Sequence, residues 1–311
     1  MLVSICIPCY RSAKTLPIVV QSVKEEFQKH PEYEYEFVLV NDGSPDATFA
    51  TIRELADGDD RIIGVDLSRN YGQAAAKLAA LPYATGDIVI FMDDDGQHPA
   101  DGIFKLIDKM HEGDYDVVYA HLKKKKTTAF KKITSNLHNW IAEGMGNKPK
   151  GIHRSSFTAW SRTIADAMKN YQSPFISIGA YVTHLTTKFA DVEIDHVERL
   201  EGTSGYSLKK LVHMWLNIFF SFSMLPLRVA SSMGSILAIV GFIWGIVLVI
   251  RKIVNPAIPV GYTSTIVLLL VIGGLIMMFL GIIGEFLGRT YMTVSNMPQY
   301  NVRNVIGAKR D

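Results

Sequence analysis

The chain has 311 residues, 48% hydrophobic and 20% charged, which excludes disorder as the default state and demands a large buried surface. A net charge of +2 gives no case for nucleic acid, whose binding needs concentrated positive charge. The two cysteines, Cys6 and Cys9, exclude a disulfide framework and suit a reducing cytosol. Their CxxC spacing is not read as a redox motif, because Cys6 falls inside a predicted strand and not at a helix N-terminus.

From residue 1 to about 205, apolar runs alternate with helical patterns. Leu2 to Pro8 reads as a short buried strand, too short and too little preceded by basic residues for a signal peptide. A helix is predicted over Ala13 to Lys29, a strand over Tyr35 to Asn41 and a helix over Asp46 to Ala56. A strand over Ile62 to Asp66 and a helix over Gly72 to Tyr83 follow, then a strand over Asp87 to Met92 and a helix over Pro99 to Glu112. This βαβ rhythm predicts an α/β domain on an open, mostly parallel sheet, with ligands beyond the carboxyl ends of the strands. Tyr10, Asp42, Asn70 and the run Asp93 to Gln97 all fall at those ends. Neither GxGxxG nor GxxxxGK[ST] occurs, which weighs against a dinucleotide enzyme or a P-loop ATPase.

The sharpest feature is Ile88 to Met92 running into Asp93-Asp94-Asp95-Gly96-Gln97-His98-Pro99. Three adjacent carboxylates repel one another unless a cation neutralises them. Carboxylates and an amide oxygen are hard ligands suited to Mg²⁺ or Mn²⁺, and a magnesium site keeps positions for water and substrate phosphates. A solvated acidic turn capping the helix after Pro99 explains the same residues as well. The cluster alone leaves both readings open.

The C-terminal third has a different composition. Val229 to Ile250 and Thr263 to Gly284 carry no charge over 22 residues each, about 33 Å of helix at about 1.5 Å per residue. Two membrane helices joined by a short turn containing Pro256 and Pro259 are expected. Lys209, Lys210, Arg228, Arg289 and Arg303 flank them, against Arg251 and Lys252 in the turn, which places the N-terminal part in the cytoplasm. Ser207 to Leu227 mixes Trp215, Phe219 and Phe220 with Lys209, Lys210 and His213, as do helices lying in the headgroup layer; an amphipathic core helix is the competing reading. Gly241 with Gly245, and Gly284 with Gly288, have a spacing that permits close helix contact and hence a homo-oligomer.

Pro8-Cys9-Tyr10, Val40-Asn41-Asp42-Gly43-Ser44, Arg69-Asn70-Tyr71-Gly72-Gln73 and Asp93 to Pro99 together resemble the GT-A glycosyltransferases of family 2. With Glu198 to Ser207 and the terminal hairpin, nearly the whole chain resembles their polyprenyl-phosphate glycosyltransferase branch. The resemblance implies a GT-A catalytic domain over 1–205 and interfacial amphipathic helices over 206–228. A two-helix transmembrane hairpin over 229–284 and a cytoplasmic tail over 285–311 follow, with the enzyme at the inner membrane. The implied reaction is inverting transfer of one sugar from a nucleotide-diphosphate sugar, a UDP-sugar, to undecaprenyl phosphate, supplying a lipid-linked sugar for cell-envelope glycan modification.

Carried over by position, Pro8, Tyr10 and Asp42 match residues that hold the nucleoside, and Asn70 and Asp94 are expected on the nucleotide too. Asp42 also fits a plain Asp-Gly-Ser turn. Asp93, Asp95 and Gln97 match the DxDxQ pattern that meets metal and diphosphate, with Gly96 loosening the backbone. Arg199 matches the arginine before GxSK that reaches phosphate; Ser204 is retained, and Gly205 replaces the lysine. Lys123 to Lys126, Lys131 and Ser135 stand where related enzymes hold donor and lipid phosphates, although a run of four lysines equally suits a solvated loop. Gly151 to Phe157 lacks the acidic sugar-contacting residue of the relatives, and Ser173 to Tyr181 lacks their carboxylate base. A phosphate acceptor, with a second pKa of about 6, is already ionised and needs no base. Asp191, Glu193 and Asp195 alternate on a predicted strand and read as its solvent face, Asp195 being able to approach the site. The alternatives are a membrane-tethered nucleotide-sugar-binding scaffold and a processive synthase, whose QxxRW motif is missing.

Overall fold

The computed structural model describes residues 1–123, 151–195, 225–255, 261–295 and 297–307. The chain divides into two compact units, Met1–Gly205 with Pro298–Asp311, and Tyr206–Met297.

In the first unit, β1 (Leu2–Cys9), β2 (Glu34–Asn41), β3 (Ile62–Leu67) and β4 (Ile88–Phe91) form the parallel heart of a sheet, with β1 between β2 and β4. β6 (Thr158–Ser161) runs antiparallel between β4 and β5 (Val117–Lys123), and β7 (Phe189–Asp195) pairs in parallel with β5. The strand order is β7-β5-β6-β4-β1-β2-β3-β8, where β8 is Val302–Ile306.

Both faces of the sheet are covered, which explains the unbroken apolar character of its inner strands. Helices α1 (Leu16–Gln28), α2 (Thr48–Gly58) and α4 (Asp101–Glu112) bury Leu16, Ile52 and Ile103 with Val3, Ile5 and Ile7 of β1. Helices α3 (Gln73–Ala80), α5 (Arg162–Lys169) and α6 (Ile178–Leu185) bury Ala76, Ile164 and Val182 on the opposite face, against Cys6 and Val38. Side chains on a strand alternate between faces, so Ile5 and Cys6 belong to different cores. Cys6 and Cys9 are free and buried, and burial pushes both thiols up, away from redox chemistry.

Boundaries move for local reasons. The helix expected to reach Tyr83 stops as α-helix at Ala80 and tightens into a 3₁₀ turn over Leu81–Tyr83. Pro82 has no N–H to continue the ladder. The stretch after residue 284, expected as a cytoplasmic tail, contains regular structure. The last helix runs to Val294, and Val302–Ile306 return to pair antiparallel with β3. Gly64 makes room for that return: a Cβ there would lie 2.7 Å from Ile306 Cγ1.

The second unit contains α7 (Leu225–Val254, 30 residues) and α8 (Tyr262–Val294, 33 residues), which enclose both uncharged stretches seen in the sequence. Among the described residues, Val271–Val294 is long and apolar enough to cross a membrane, with mean hydropathy 2.1 and none of it buried; the apolar stretch Gly234–Val247 of α7 is shorter. Cβ atoms at Gly241, Gly245, Gly284 and Gly288 would meet nothing within 4 Å among the described residues. The segment expected to hold interfacial helices lies, up to residue 224, outside the described residues.

Candidate active site

From β1 the chain builds outward through β2 and β3 on one side, then crosses back to place β4 on the other. The crevice beyond the carboxyl ends of β1 and β4 is therefore a topological switch point, where α/β sheets bind ligands. Four loops reach it from the ends of β1 to β4. A fifth, residues 151–157, leads into β6 beside the end of β4, because β6 is antiparallel and Thr158 faces Phe91.

Asp93 leaves β4 with both oxygens engaged. Gln73 Nε2 donates to Oδ1 at 2.6 Å and Ser156 Oγ donates to Oδ2 at 2.7 Å, while the Asp93 amide donates to His98 Nδ1 at 2.9 Å. The His98 ring is buried and stacks on Phe157, with centroids 4.8 Å apart. Asp95 Oδ1 accepts from the Gln97 amide at 3.1 Å, so Asp95 and Gln97 share one tight turn around Gly96, whose φ is +74°. Asp94 is separated from this pair: its Oδ2 accepts the Tyr10 amide at 3.0 Å and ties β4 to β1. Burial, with help from the Asp93 charge, raises the Asp94 carboxyl to about 6 against the hydrogen bond from the Tyr10 amide.

Lys77 lies beneath this loop, buried at 8% exposure, and donates to Ser156 O at 2.8 Å. Its ammonium also sits 5.2 Å from the Phe91 ring centroid. Burial lowers the amine to about 8, partly opposed by the charge of Asp93. Gln73 and Lys77 are one helical turn apart on α3, so a single face of that helix supplies both the donor to Asp93 and the anchor of Ser156.

Asp42 is 3% exposed and uses both oxygens on the third loop, accepting Tyr71 N at 2.7 Å and Gly72 N at 2.9 Å. Burial raises this carboxyl against those two bonds. The neighbouring Gly43 has φ +58°, and a Cβ on it would lie 2.2 Å from the Arg69 carbonyl carbon, so the second and third loops touch through backbone there. Tyr10 and Asn70 are exposed on the rim, and Pro8 lies inside β1. Arg11, with φ +58°, turns the chain after Tyr10 and donates its amide to Ser44 Oγ at 2.9 Å.

A family model described as "Glycosyl transferase family 2" matches residues 4–168, from β1 into α5. The chain belongs to that family. It is 31% identical to "Undecaprenyl-phosphate 4-deoxy-4-formamido-L-arabinose transferase" of Proteus mirabilis, over 99% of this chain and 95% of the relative. It is also 31% identical to "Prophage bactoprenol glucosyl transferase homolog" of Escherichia coli K12, over 98% and 99%. The "Uncharacterized glycosyltransferase YkcC" of Bacillus subtilis is 32% identical over 98% and 94%. Among solved structures, glucosyl-3-phosphoglycerate synthase from Mycobacterium tuberculosis, crystallised with Mn²⁺ and UDP-glucose, superposes with a TM-score of 0.50 at 16% identity, over 70% of this chain and 77% of that one. That likeness is one of fold, the GT-A fold.

In this family 2 glycosyltransferase the donor set at the end of β4 fits a divalent cation: Asp93, Asp95 and Gln97 offer only hard oxygen atoms. The structure brings Asp93, Asp94, Asp95, Gln97, Tyr10, Asp42 and Asn70 to the same edge of the sheet. Lys123 ends β5, and its side chain, like Lys131, Ser135, Arg199 and Ser204, lies outside the described residues. Sequence reasoning missed Gln73, Lys77 and Ser156. A signal for Lys77 existed, since a lysine inside Ala74 to Leu81 is a charge on an otherwise apolar helix.

Proposed function

We propose that this chain transfers a single sugar, with inversion, from a UDP-sugar to undecaprenyl phosphate at the cytoplasmic face of the inner membrane. The observation that carries this reading is the full-length match to relatives named as undecaprenyl-phosphate and bactoprenol sugar transferases, a match that extends through the apolar second unit. Strand β8 supports the membrane assignment. The chain leaves the catalytic sheet after β7 and rejoins it at β8, so any crossings between them are even in number. If Val271–Val294 spans, a second segment must span too, and α7 is the other described helix of sufficient length, about 45 Å at about 1.5 Å per residue.

Asp93, Asp95 and Gln97 would hold Mg²⁺ or Mn²⁺, and such an ion would neutralise the departing nucleoside diphosphate. Gln73 and Ser156 hold Asp93 in one orientation, so the carboxylate need not reorganise during the reaction. Tyr10, Asn70 and Asp42 with the loop it braces would seat the nucleotide. Arg199, Ser204, the basic residues Lys123 and Lys131, and Ser135 would receive the acceptor phosphate by virtue of their motif positions. The phosphate monoester, ionised near neutrality, attacks the anomeric carbon without a protein base.

The test is turnover by the full chain in membranes, using labelled nucleotide sugars, magnesium or manganese, and undecaprenyl phosphate. A single-sugar lipid product that Asp95→Asn abolishes, with the variant still folded, is expected. Undiminished turnover by Asp95→Asn defeats the metal assignment; a polymeric product points to a processive synthase, and binding without turnover to a scaffold.

A further inference from the structure

A second group of donor side chains converges at the same edge of the sheet and takes no part in the site above. His121 stands near the end of β5, Asp191 on the adjacent β7, and His153 in the loop before β6; one donor atom from each lies within 4.8 Å of the others. Asp191 Oδ2 pairs with His153 Nδ1 at 2.8 Å and accepts the His153 amide at 3.0 Å. The His153 ring lies flat on His121, with centroids 3.9 Å apart and planes 9° from parallel.

Strand register explains why Asp191 and His121 meet. Tyr119 pairs with Asp191 and His121 with Glu193, so these four share one face of the β5–β7 ribbon, while Ala190 and Ile194 turn to the core. The hydrogen bonds to Asp191 account for the loop's position but not for the second imidazole. Together the group offers two imidazole nitrogens and one anionic oxygen, a set that attracts a cation. Imidazole suits zinc, copper and nickel, whereas magnesium prefers oxygen alone. The His153 side chain is 54% exposed, which leaves an entry path.

We propose that His121, His153 and Asp191 bind a transition-metal ion of the zinc class, separately from Asp93, Asp95 and Gln97. The ion takes the place of the hydrogen between His153 Nδ1 and Asp191 Oδ2, the neutral ring keeping its hydrogen on Nε2, and His121 closes as third ligand. Tetrahedral bonds of about 2.0–2.1 Å set donors about 3.3 Å apart. The bonded pair must open from 2.8 Å by about half an ångström, and His121 must turn out of its flat stack on His153, since a ring nitrogen donates in the ring plane, and close from at most 4.8 Å by about 1.5 Å, within reach of side-chain rotation. Water fills the fourth position. Three residues beyond His153, Ser156 donates to Asp93, so the ion pins the loop that steadies the active-site carboxylate. The proposal does not depend on which sugar or acceptor the enzyme uses.

The test uses the full chain in detergent, stripped with a chelator and held in excess Mg²⁺ so that the oxygen site is occupied. Titration with Co²⁺ is expected to give the visible absorption of a tetrahedral nitrogen–oxygen site at about one ion per chain, displaced by Zn²⁺. His121→Gln and His153→Gln each should weaken that binding at least tenfold, while the double variant Asp93→Asn with Asp95→Asn keeps it. Zn²⁺ should also raise the Tm of the wild-type chain in the same buffer, a readout that needs no variant to fold. No Co²⁺ band and no Tm shift, or a band lost in the aspartate variant and retained in both histidine variants, overturns the proposal.

Discussion

Replacing Lys77 by methionine probes the least expected part of the site, a buried ammonium under the loop that holds Asp93. Burial takes the amine from its usual 10.5 to about 8, which corresponds to about 3 kcal/mol at about 1.4 kcal/mol per pH unit. An unfolded lysine keeps its proton until about pH 10.5, whereas the folded one releases it near 8. The unfolded state therefore binds more protons between those values, so this group's contribution to stability rises with pH across the window and levels off at its lowest value below 8, where both states hold the proton. Methionine has similar reach and no charge, so the pH-dependent part disappears. It also leaves Ser156 O without its donor, at a cost of about 1–3 kcal/mol. At pH 7 the two effects nearly cancel, and Lys77→Met should fall within about 2 kcal/mol of wild type, while the difference between the two chains changes by about 3 kcal/mol from pH 8 to 10.5. Urea unfolding in detergent at a series of pH values, followed by the near-ultraviolet signal of the buried Trp160, measures this. Subtracting the variant from the wild type removes the tyrosines and thiols that titrate in the same range. A flat difference would refute the argument, because it would mean that Lys77 titrates as an exposed lysine. Sugar transfer by the same variant should drop about tenfold or more, since Ser156 loses its anchor and Asp93 its fixed orientation.

Gly43→Ala forces a Cβ to within 2.2 Å of the Arg69 carbonyl carbon at φ +58°; a loss of at least about 2 kcal/mol and of several degrees in Tm is expected. Thermal unfolding checks it, and an unchanged Tm would show that the second and third loops do not touch. Ending the chain after Asn301 deletes β8, uncovers the β3 edge and removes the packing of Ile306 and Val302. A loss of about 2–4 kcal/mol and faster aggregation by light scattering should follow. Equal stability and solubility would mean that β8 is dispensable to the sheet.

The first half of the fold was legible because its determinants are local. The apolar run of β1 and the amphipathic spacing of α1 and α4 are set by residues within one element. The acidic turn was legible for the same reason: Asp93 to Gln97 are neighbours in sequence and remain so in space. Two uncharged runs likewise announce helices whatever surrounds them, since their composition already decides what solvent they tolerate.

Pairing between distant segments was not legible. Nothing in Val302–Ile306 names β3 as its partner, and only the fit of Ile306 over Gly64 decides it. The sequence places Asp94 in the acidic run and on the nucleotide, but not beside Tyr10; the approach of β1 puts its carboxylate on the Tyr10 amide. Asp42 is drawn in the same way onto Tyr71 and Gly72. His121, His153 and Asp191 are spread over 71 positions and meet because β5 and β7 lie in register. Sequence by itself determined which residues could carry charge, oxygen donors or apolar surface. The tertiary structure decided which of them face one another, because hydrogen bonds and donor sets depend on distances that only chain crossing and strand register establish.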